Sequence, residues 1–246
     1  MSKLFTNADL DNVESAELKA QRAEFEKQVA EIEATNNKLK ISDALLALIK
    51  ELNVMEENYC SVGSDGKLVP LAEGYEGLAV GINFIGQVYI GNVKNGFPNG
   101  LGKTFSYKGE LKDVASVNDL KTASYGHFEN SLLKGFGTNI IEANNMEIVS
   151  TGNQTENGID GYCTMEITNI LTGETSMSQS GVLKNGVMTE GTICMGAGDS
   201  FILQSGSFDQ VSNQIKDGFV FMKDNGEFKK IATVKNGEPV MEENVA

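Results

Sequence analysis

The residues of this sequence that could carry chemistry are few and scattered. His127 is the only histidine among the 246 residues. It lies between Gly126 and Phe128, so in a strand its side chain points away from the face that holds Phe128, which is typical of a solvent-facing position. Triad catalysis needs a histidine held beside a nucleophile and a carboxylate, and no such pattern surrounds His127. We therefore predict that the protein is not an enzyme.

Two other stretches contain the residue types of a ligand site without its spacing. Residues 195–200, MGAGDS, are glycine-rich but lack the Gly-Lys-Ser/Thr ending and the following helix of a phosphate-binding loop. We predict a turn there. Residues 153–160 are rich in Asn and Asp but lack the alternating ligands and final Glu of a calcium loop. We expect neither a metal nor a cofactor.

The cysteines point to packing rather than chemistry. Cys60, Cys163 and Cys194 are far apart in the sequence and form no C-x-x-C pair. That spacing favours neither a disulfide framework nor a zinc site. We expect buried thiols in a reducing compartment, and one disulfide with an odd thiol left over is the alternative.

The net charge of the chain argues against two classes of binding partner, nucleic acids and membranes. Lys and Arg number 20 against 34 Asp and Glu, a formal net charge of −14, and Arg22 is the only arginine. Nucleic acids are bound by clustered Lys and Arg, so we expect no nucleic-acid partner. The negative charge also makes a membrane partner unlikely. We expect no signal peptide and no membrane span, because the N-terminal residues are polar and no apolar run is long enough.

The stretch 89–105, YIGNVKNGFPNGLGKTF, shows the spacing that organises the rest of the chain. An aromatic residue, a glycine and an apolar residue alternate, which places them on one face of a strand. Asn-Gly then supplies the positive φ of a tight hairpin turn, and two later glycines let a neighbouring backbone or ring come close. The positions are Tyr89, Gly91, Val93, Asn95, Gly96, Gly100 and Gly102.

The same offsets recur towards the C-terminus. The second copy holds Gly126, Phe128, Asn130-Ser131, Gly135 and Gly137. Looser copies begin at Gly152, Gly181, Gly206 and Ala232, with turns at Asn157-Gly158, Asn185-Gly186, Asp217-Gly218 and Asn236-Gly237. Successive origins, starting from Gly91, are 35, 26, 29, 25 and 26 residues apart. A period of this size indicates an array of stacked repeats.

This pattern resembles the MORN repeat family, most closely over residues 89–105 and 126–137. The resemblance implies single β-hairpins stacked into one antiparallel sheet, and a role as a protein or membrane adaptor within scaffolds. From the residues themselves, nine Asn-Gly or Asp-Gly dipeptides give about one turn per 20 residues of the β-region. We predict a mainly β fold, a stacked antiparallel hairpin sheet preceded by one or two helices. A generic glycine-rich β-domain is the alternative.

A helix is predicted before the β-region. Residues 9–34 contain no Gly or Pro, and Asp9 or Asp11 can cap its start. In a heptad, Leu18, Phe25, Ile32 and Leu39 occupy d positions, while Arg22, Val29 and Asn36 occupy a positions. The candidate oligomer interface is therefore Leu18, Phe25, Val29, Ile32, Asn36 and Leu39. The alternative is an amphipathic helix that packs on its own sheet.

Composition divides the chain into a helical segment at 1–58, a β-repeat region at 59–240 and a flexible tail at 241–246. Ser42 is a candidate N-cap for a second helix over residues 43–54, DALLALIKELNV, which must be buried because apolar residues cover more than half of its surface. That helix either covers the terminal hairpin or continues the oligomer interface. Residues 108–126 are predicted to form a long hairpin loop or an extra strand pair.

These observations favour a non-enzymatic structural or interaction protein. It would oligomerise or dock through its N-terminal helices and offer an extended β-repeat surface to protein partners. A virion or fibre component, such as a phage head or tail protein, is the second hypothesis, and a lipid-binding repeat module is the third. We expect a cytoplasmic protein, or a virion protein under the second hypothesis.

Overall fold

The structure, a computed structural model, describes residues 10, 11, 13–52, 58–197, 200–224 and 227–241. Helix α1 spans Ala16–Asn36 and helix α2 spans Asp43–Ile49. Residues 10, 11 and 13 also have helical backbone. Two short 3-10 turns lie at Leu111–Asp113 and Val117–Asp119.

The remaining regular structure is β. The strands are β1 (Asn58–Val62), β2 (Leu68–Pro70), β3 (Glu76–Ile82), β4 (Val88–Lys94), β5 (Phe97–Ser106), β6 (Lys121–Glu129), β7 (Leu132–Ala143), β8 (Met146–Thr155), β9 (Gly158–Asn169), β10 (Thr175–Lys184), β11 (Val187–Ala197), β12 (Ser200–Phe208), β13 (Ile215–Asp224), β14 (Glu227–Lys235) and β15 (Glu238–Met241). They form one open antiparallel sheet of 15 strands. The strand order follows the chain, except that β1 lies between β3 and β2. This confirms the predicted mainly β fold and its array of hairpins.

The chain forms two compact units. The first, which we call the terminal unit, combines Met1–Lys27 with Ile140–Ala246; the second, the central unit, is Gln28–Asn139. Helix α1 contributes residues 16–27 to the terminal unit and its remaining residues to the central unit. Each unit therefore combines helical residues with strands. The predicted tail lies outside the described residues, apart from Met241, which ends β15.

Four predicted turns adopt the expected conformation. Both turn residues have positive φ at Asn95-Gly96, Asn130-Ser131, Asn185-Gly186 and Asn236-Gly237. Two successive positive φ angles are typical of the type I′ turn, whose twist matches that of the flanking strands. The four turns join β4 to β5, β6 to β7, β10 to β11 and β14 to β15.

The predicted turn at Asp217-Gly218 is wrong. Both residues lie inside β13, where Gly218 pairs with Gly206 of β12. The connection between β12 and β13 is made by residues 209–214 instead. There a carboxylate oxygen of Asp209 accepts hydrogen bonds from the backbone N–H groups of Val211 (3.1 Å) and Ser212 (2.8 Å). The glycine at 218 serves close approach between strands rather than a turn.

The repeat origins all fall on the first strand of a hairpin. Gly91, Gly126, Gly152, Gly181, Gly206 and Ala232 lie on β4, β6, β8, β10, β12 and β14. In the central unit, strand pairing joins four glycines into one row: Gly91, Gly102, Gly126 and Gly137. In the terminal unit it joins Gly181, Gly191, Gly206 and Gly218. The predicted period is thus the two-strand period of the sheet.

The glycine row of the central unit makes room for an aromatic ring. A Cβ atom on Gly102 would lie 2.4 Å from the Oη atom and 2.6 Å from the Cε2 atom of Tyr89. Tyr89 is fully buried, and its ring meets those of Tyr59 and Phe128 nearly edge-on, with centroids 5.6 and 5.4 Å away. Val93 completes this buried cluster. The aromatic and apolar positions of the repeat are therefore core residues.

Two later glycines of the repeat are equivalent as well. Gly100 on β5 and Gly135 on β7 have φ values of 96° and 97°. A Cβ atom at these positions would come within 3.4 Å of the Cβ of Asn92 and 3.2 Å of the Cβ of His127. Both the positive φ and the close neighbour favour glycine here.

Helix α2 and the loop 107–120 cover β3–β5 in the central unit. Ser42 caps the helix, since its Oγ accepts a hydrogen bond from the N–H of Leu45 (3.2 Å), and Asp43 accepts one from the N–H of Val117 in the loop (2.8 Å). The buried residues of this core are Ile41, Leu46, Ile49, Val80, Ile82, Val88, Ile90, Phe105, Leu111 and Val114.

The structure confirms the long-loop alternative for residues 108–120, whereas residues 121–126 belong to β6. Helix α2 ends at Ile49, and residues 53 and 54 of its predicted range lie outside the described residues.

We expect Gly102→Ala to lower the free energy of unfolding by about 1–3 kcal/mol, because the added methyl group forces the Tyr89 ring or the paired strands apart. Chemical denaturation followed by circular dichroism measures the change. Gly63→Ala is the matched control, because its Cβ first meets a movable carboxylate oxygen of Asp65 at 3.0 Å. Equal losses in the two variants would contradict the close packing of Tyr89 on the glycine row.

Candidate interaction surface

The structure keeps the chemically capable residues apart. His127 is half-buried on β6. Cys60, Cys163 and Cys194 are buried thiols rather than disulfides. Burial raises the pKa of the Cys163 thiol to about 12 and that of Cys60 above its ordinary value, so neither is a thiolate at neutral pH. Among the described residues, no three His, Cys, Asp or Glu side chains form a group that could hold a metal ion.

The only arginine anchors the start of α1 in the terminal unit. Arg22 Nε donates a hydrogen bond to Glu14 Oε2 at 2.8 Å, and the Glu14 side chain is fully buried. The same guanidinium pairs with Asp11 and, at 3.8 Å, with Glu26. A buried carboxylate is costly unless it is both paired and hydrogen-bonded. Arg22 supplies this pairing, which accounts for an arginine at a heptad a position.

The sheet supplies the second partner of Glu14. The hydroxyl of Tyr162 on β9 donates to Glu14 Oε1 at 2.9 Å and lies 2.6 Å from the hydroxyl of Ser180 on β10. The ring of Tyr162 packs against Phe25 of α1, with centroids 5.2 Å apart. Polar and apolar contacts therefore converge on one tyrosine and hold residues 14–25 on the sheet.

The buried position changes the acid–base behaviour of this network. Burial raises the pKa of Glu14 above its ordinary value, while the hydrogen bond from Tyr162 and the charge of Arg22 act in the opposite direction. Burial also raises the pKa of Tyr162 well above the usual tyrosine range. The Tyr162 hydroxyl therefore stays protonated as a hydrogen-bond donor over the whole physiological pH range.

The residues of the predicted oligomer interface are used within the chain. Leu18, Phe25 and Ile32 are at most 6% exposed. Leu39 packs beside the core under α2, and Val29 and Asn36 are half-buried. Leu18, Phe25 and Ile32 are thus buried within the single chain, which is the arrangement that the packing-helix alternative describes. The oligomer interface at these residues stays a prediction.

The central unit has its own attachment between α1 and the sheet. The Tyr125 hydroxyl on β6 donates a hydrogen bond to Glu33 near the end of α1. Burial, followed by the hydrogen bond to Glu33, raises the pKa of Tyr125 to about 12. In each unit, then, a tyrosine of the sheet binds a glutamate of the helical segment.

An apolar row lies on the other side of the sheet in the terminal unit. Strand pairing aligns one residue from each of six consecutive strands, β8 to β13, which we call the apolar ladder: Ile148, Ile167, Met177, Met195, Ile202 and Met222. Met177 and Ile202 lie three residues from Ser180 and Ser205, whose hydroxyls contact Tyr162 and the carbonyl of Val13. Because side chains alternate along a strand, the ladder points away from α1.

The apolar ladder is incompletely covered. Met195 is 45% exposed and Ile202 is 43% exposed, and the other four residues are half-buried. With neighbouring strands about 4.8 Å apart, six residues span roughly 24 Å. A cavity of about 390 Å³ adjoins the ladder, lined by Met195, Gln204, Val220 and Pro239 among others. Met177 also packs on a buried cluster that includes Cys163 and Ile193. The neighbouring exposed residues Met195 and Ile202 are therefore the candidate interaction surface.

Sequence reasoning missed Glu14, Tyr162 and the apolar ladder. One signal for Glu14 was present, because an arginine that is buried at a heptad position needs a carboxylate to pair with its charge. The ladder has no local signal. Its six members are spread over residues 148–222, and only the strand register brings them into line.

We expect Arg22→Met to lower the free energy of unfolding by about 3–5 kcal/mol, because it leaves the buried Glu14 carboxylate without its charge partner. Lys27→Met is the matched control on the same helix. Its ion pair with Glu24, 3.0 Å long, is exposed, so the loss should stay below about 1 kcal/mol. Denaturant unfolding measures both changes, and a loss in Arg22→Met as small as in the control would show that the pair does not anchor the helix.

We expect the protein to unfold at alkaline pH as its buried tyrosines ionise. A tyrosine of the unfolded chain has a pKa of about 10, and the folded pKa of Tyr125 is raised to about 12. The stabilisation from its protonated form is complete below the unfolded pKa and is lost as pH rises through the folded pKa. Phenolate absorbance should rise together with the loss of β-structure, and the fall in stability should be shallower in Tyr125→Phe. Ionisation of all tyrosines near pH 10 with the sheet intact would contradict this.

No family model matches the sequence, and no curated protein matches it significantly. None of the described helices is both long and apolar enough to cross a membrane.

Proposed function

We propose that the protein is a non-enzymatic interaction protein that assembles with other protein chains through the apolar ladder. The observation that carries this proposal is the alignment of six uncharged apolar side chains in one register across β8–β13. Three of the six are methionines, whose flexible thioether side chains adapt to different partner surfaces. Glu14 and Phe25 contact Tyr162, and Val13 contacts Ser205, on the opposite side of these strands, so these contacts do not use the ladder.

The first partner that we propose is a second copy of the chain. With a net charge of −14, two copies repel each other over most of their surface. The ladder contains no charged residue, so two ladders can meet without bringing carboxylates together. Two sheet faces pack about 10 Å apart when their side chains interdigitate, and such a contact buries the exposed parts of Met195 and Ile202 in both copies.

The repeat pattern supports an adaptor role. The resemblance to MORN repeats is carried by glycine rows, type I′ turns and a two-strand period, all of which belong to a surface built for contact rather than for enclosing a substrate. Leu18, Phe25 and Ile32 of α1 are buried within the chain, and Phe25 packs on Tyr162 of β9. We therefore propose that the oligomer interface is the apolar ladder and not α1.

Self-association can be measured by light scattering on the intact protein at increasing concentration. We expect the wild type to form a dimer and the double variant Met195→Glu with Ile202→Glu to be monomeric, because the dimer would have to bury the new carboxylates. The dissociation constant should rise by a factor of about 100 or more. Both side chains are already exposed in the single chain, so the variant should keep its fold.

Leu171→Glu is the matched control, since Leu171 is an exposed apolar residue in the connection between β9 and β10. It should dimerise as the wild type does. A wild type that stays monomeric at concentrations of about 100 µM would overturn the proposed self-association. A control that loses the dimer as fully as the double variant would show that added charge alone, and not the ladder, decides assembly.

A further inference from the structure

Backbone hydrogen bonds link several hairpin turns of the sheet to the strand before them. In each case the second residue of a turn donates its N–H to a carbonyl on the strand that precedes its hairpin. The three donor–acceptor pairs are Ser131–Pro98 (3.1 Å), Gly186–Ile159 (2.9 Å) and Gly237–Lys216 (2.8 Å). The N–H groups of these turn residues are therefore already engaged in the folded chain.

The turn between β4 and β5 lacks such a bond. Gly96 is its second residue, and no acceptor for the Gly96 N–H lies among the described residues. The preceding strand, β3, begins only at Glu76, which pairs with Lys94. Before Glu76 the chain turns, with the N–H of Tyr75 bonded to the carbonyl of Ala72 at 3.0 Å. The strand that would supply the acceptor thus starts too late to reach Gly96.

The residue before this N–H is an asparagine. The sequence contains six Asn-Gly pairs, and in such a pair the glycine nitrogen can attack the side-chain amide of the asparagine, since glycine has no side chain to obstruct the approach. In two described pairs the glycine is paired within the sheet, Gly100 with Phe128 and Gly158 with Thr155. The pair at 225–226 lies outside the described residues.

The remaining two pairs are close structural matches for Asn95-Gly96. Asn185-Gly186 and Asn236-Gly237 are also exposed and also have two successive positive φ angles. Their glycine N–H groups are bonded as described above, and their asparagine N–H groups donate to Asp160 (3.3 Å) and Asp217 (2.9 Å). The three turns therefore share sequence, exposure and backbone conformation and differ in hydrogen bonding.

We propose that Asn95-Gly96 is a site of selective self-modification, at which the folded protein converts asparagine to aspartate and isoaspartate. The Gly96 nitrogen loses its proton to a base in solution and bonds to Cγ of Asn95. The Cγ–Nδ2 bond breaks, and the side-chain nitrogen takes up protons and leaves as ammonia. Water then opens the succinimide ring at either carbonyl. Water is consumed and ammonia is released, with no change of oxidation state.

The missing hydrogen bond sets the selectivity. An amide that donates to a carbonyl must open locally before its nitrogen can lose a proton. One backbone hydrogen bond makes that open state roughly tenfold rarer, so Gly186 and Gly237 react more slowly than Gly96. This site is independent of the apolar ladder and of the function proposed for it.

The modification falls where the structure is sensitive to it. Both products add a carboxylate to the turn, and isoaspartate also adds one main-chain carbon. In a hairpin the length of the turn fixes the register of its strands. Here that register places Gly91 opposite Gly102, the glycine pair on which Tyr89 packs.

The test incubates the intact protein in mildly alkaline buffer and measures deamidation of tryptic peptides by mass spectrometry. Fragment ions must separate Asn95 from Asn99, because both lie in the peptide 95–103. We expect the rate constant at Asn95 to exceed those at Asn185 and Asn236 about tenfold. The same protein in denaturant is the control, since its turns are open and the three rates should agree within about threefold.

Two further measurements support or contradict the proposal. Acidic forms that accumulate on ion exchange should be largely lost in Asn95→Gln and retained in the matched variant Asn236→Gln. Hydrogen exchange of the Gly96 amide should be faster than that of Gly186 and Gly237.

The proposal is overturned if Asn95 reacts no faster than Asn185 and Asn236 in the folded protein. An excess at Asn95 that persists unchanged in denaturant would also overturn it, because the local sequence and not the fold would then set the rate. Slow exchange of the Gly96 amide would remove its physical basis. The rate comparison uses the wild-type chain alone, so it decides the outcome even if a variant fails to fold.

Discussion

The close approach of glycines on paired strands is the constraint on which both units depend. In the central unit the row that includes Gly102 lets Tyr89 lie against the backbone, where any side chain at the glycine would collide with it. In the terminal unit a Cβ on Gly206 would lie 2.1 Å from the carbonyl oxygen of Asp217. Large side chains from the same hairpins then cover the rows and form the cores. A repeat in which glycine is lost must therefore rearrange both a strand pair and the side chains above it.

On the other side of the sheet, attachment of α1 depends on a buried polar network instead of a purely apolar seam. Glu14 is desolvated, so it requires both the charge of Arg22 and the hydrogen bond from Tyr162. Hydrogen-bond directions restrict how the helix can slide or rotate far more than apolar contacts do. The far side of β8–β13 takes no part in this network. There Met177 packs on a buried cluster that includes Cys163 and Ile193, and the exposed part of the apolar ladder is the surface for which we propose an intermolecular role.

Much of the fold was predictable because its signals are local. Asn-Gly turns, alternating apolar residues and the recurrence of glycine each act within one hairpin, and the origins fell on alternate strands as their period required. The turn prediction at Asp217-Gly218 was wrong because glycine suits two situations that the sequence alone does not distinguish. One is a positive φ in a turn, and the other is a close approach between two strands. The apolar ladder was not predictable for a different reason. Met177 and Met222 come into line only through strand register, and the heptad of α1 could not show whether its partner was a second helix or its own sheet.

The joining of the first and last parts of the chain in the terminal unit has a consequence for biosynthesis. Glu14 and Tyr162 are 148 residues apart in the sequence, and Val13 and Ser205 are 192 apart. At translation rates of about 5–20 residues per second, the N-terminal residues wait about 7–40 s for the strands that they contact. During that time Leu18 and Phe25 face solvent on the nascent chain, where chaperones bind such apolar stretches. Closure of this unit is therefore a late event of synthesis, slowed further by the sequence separation of its contacts.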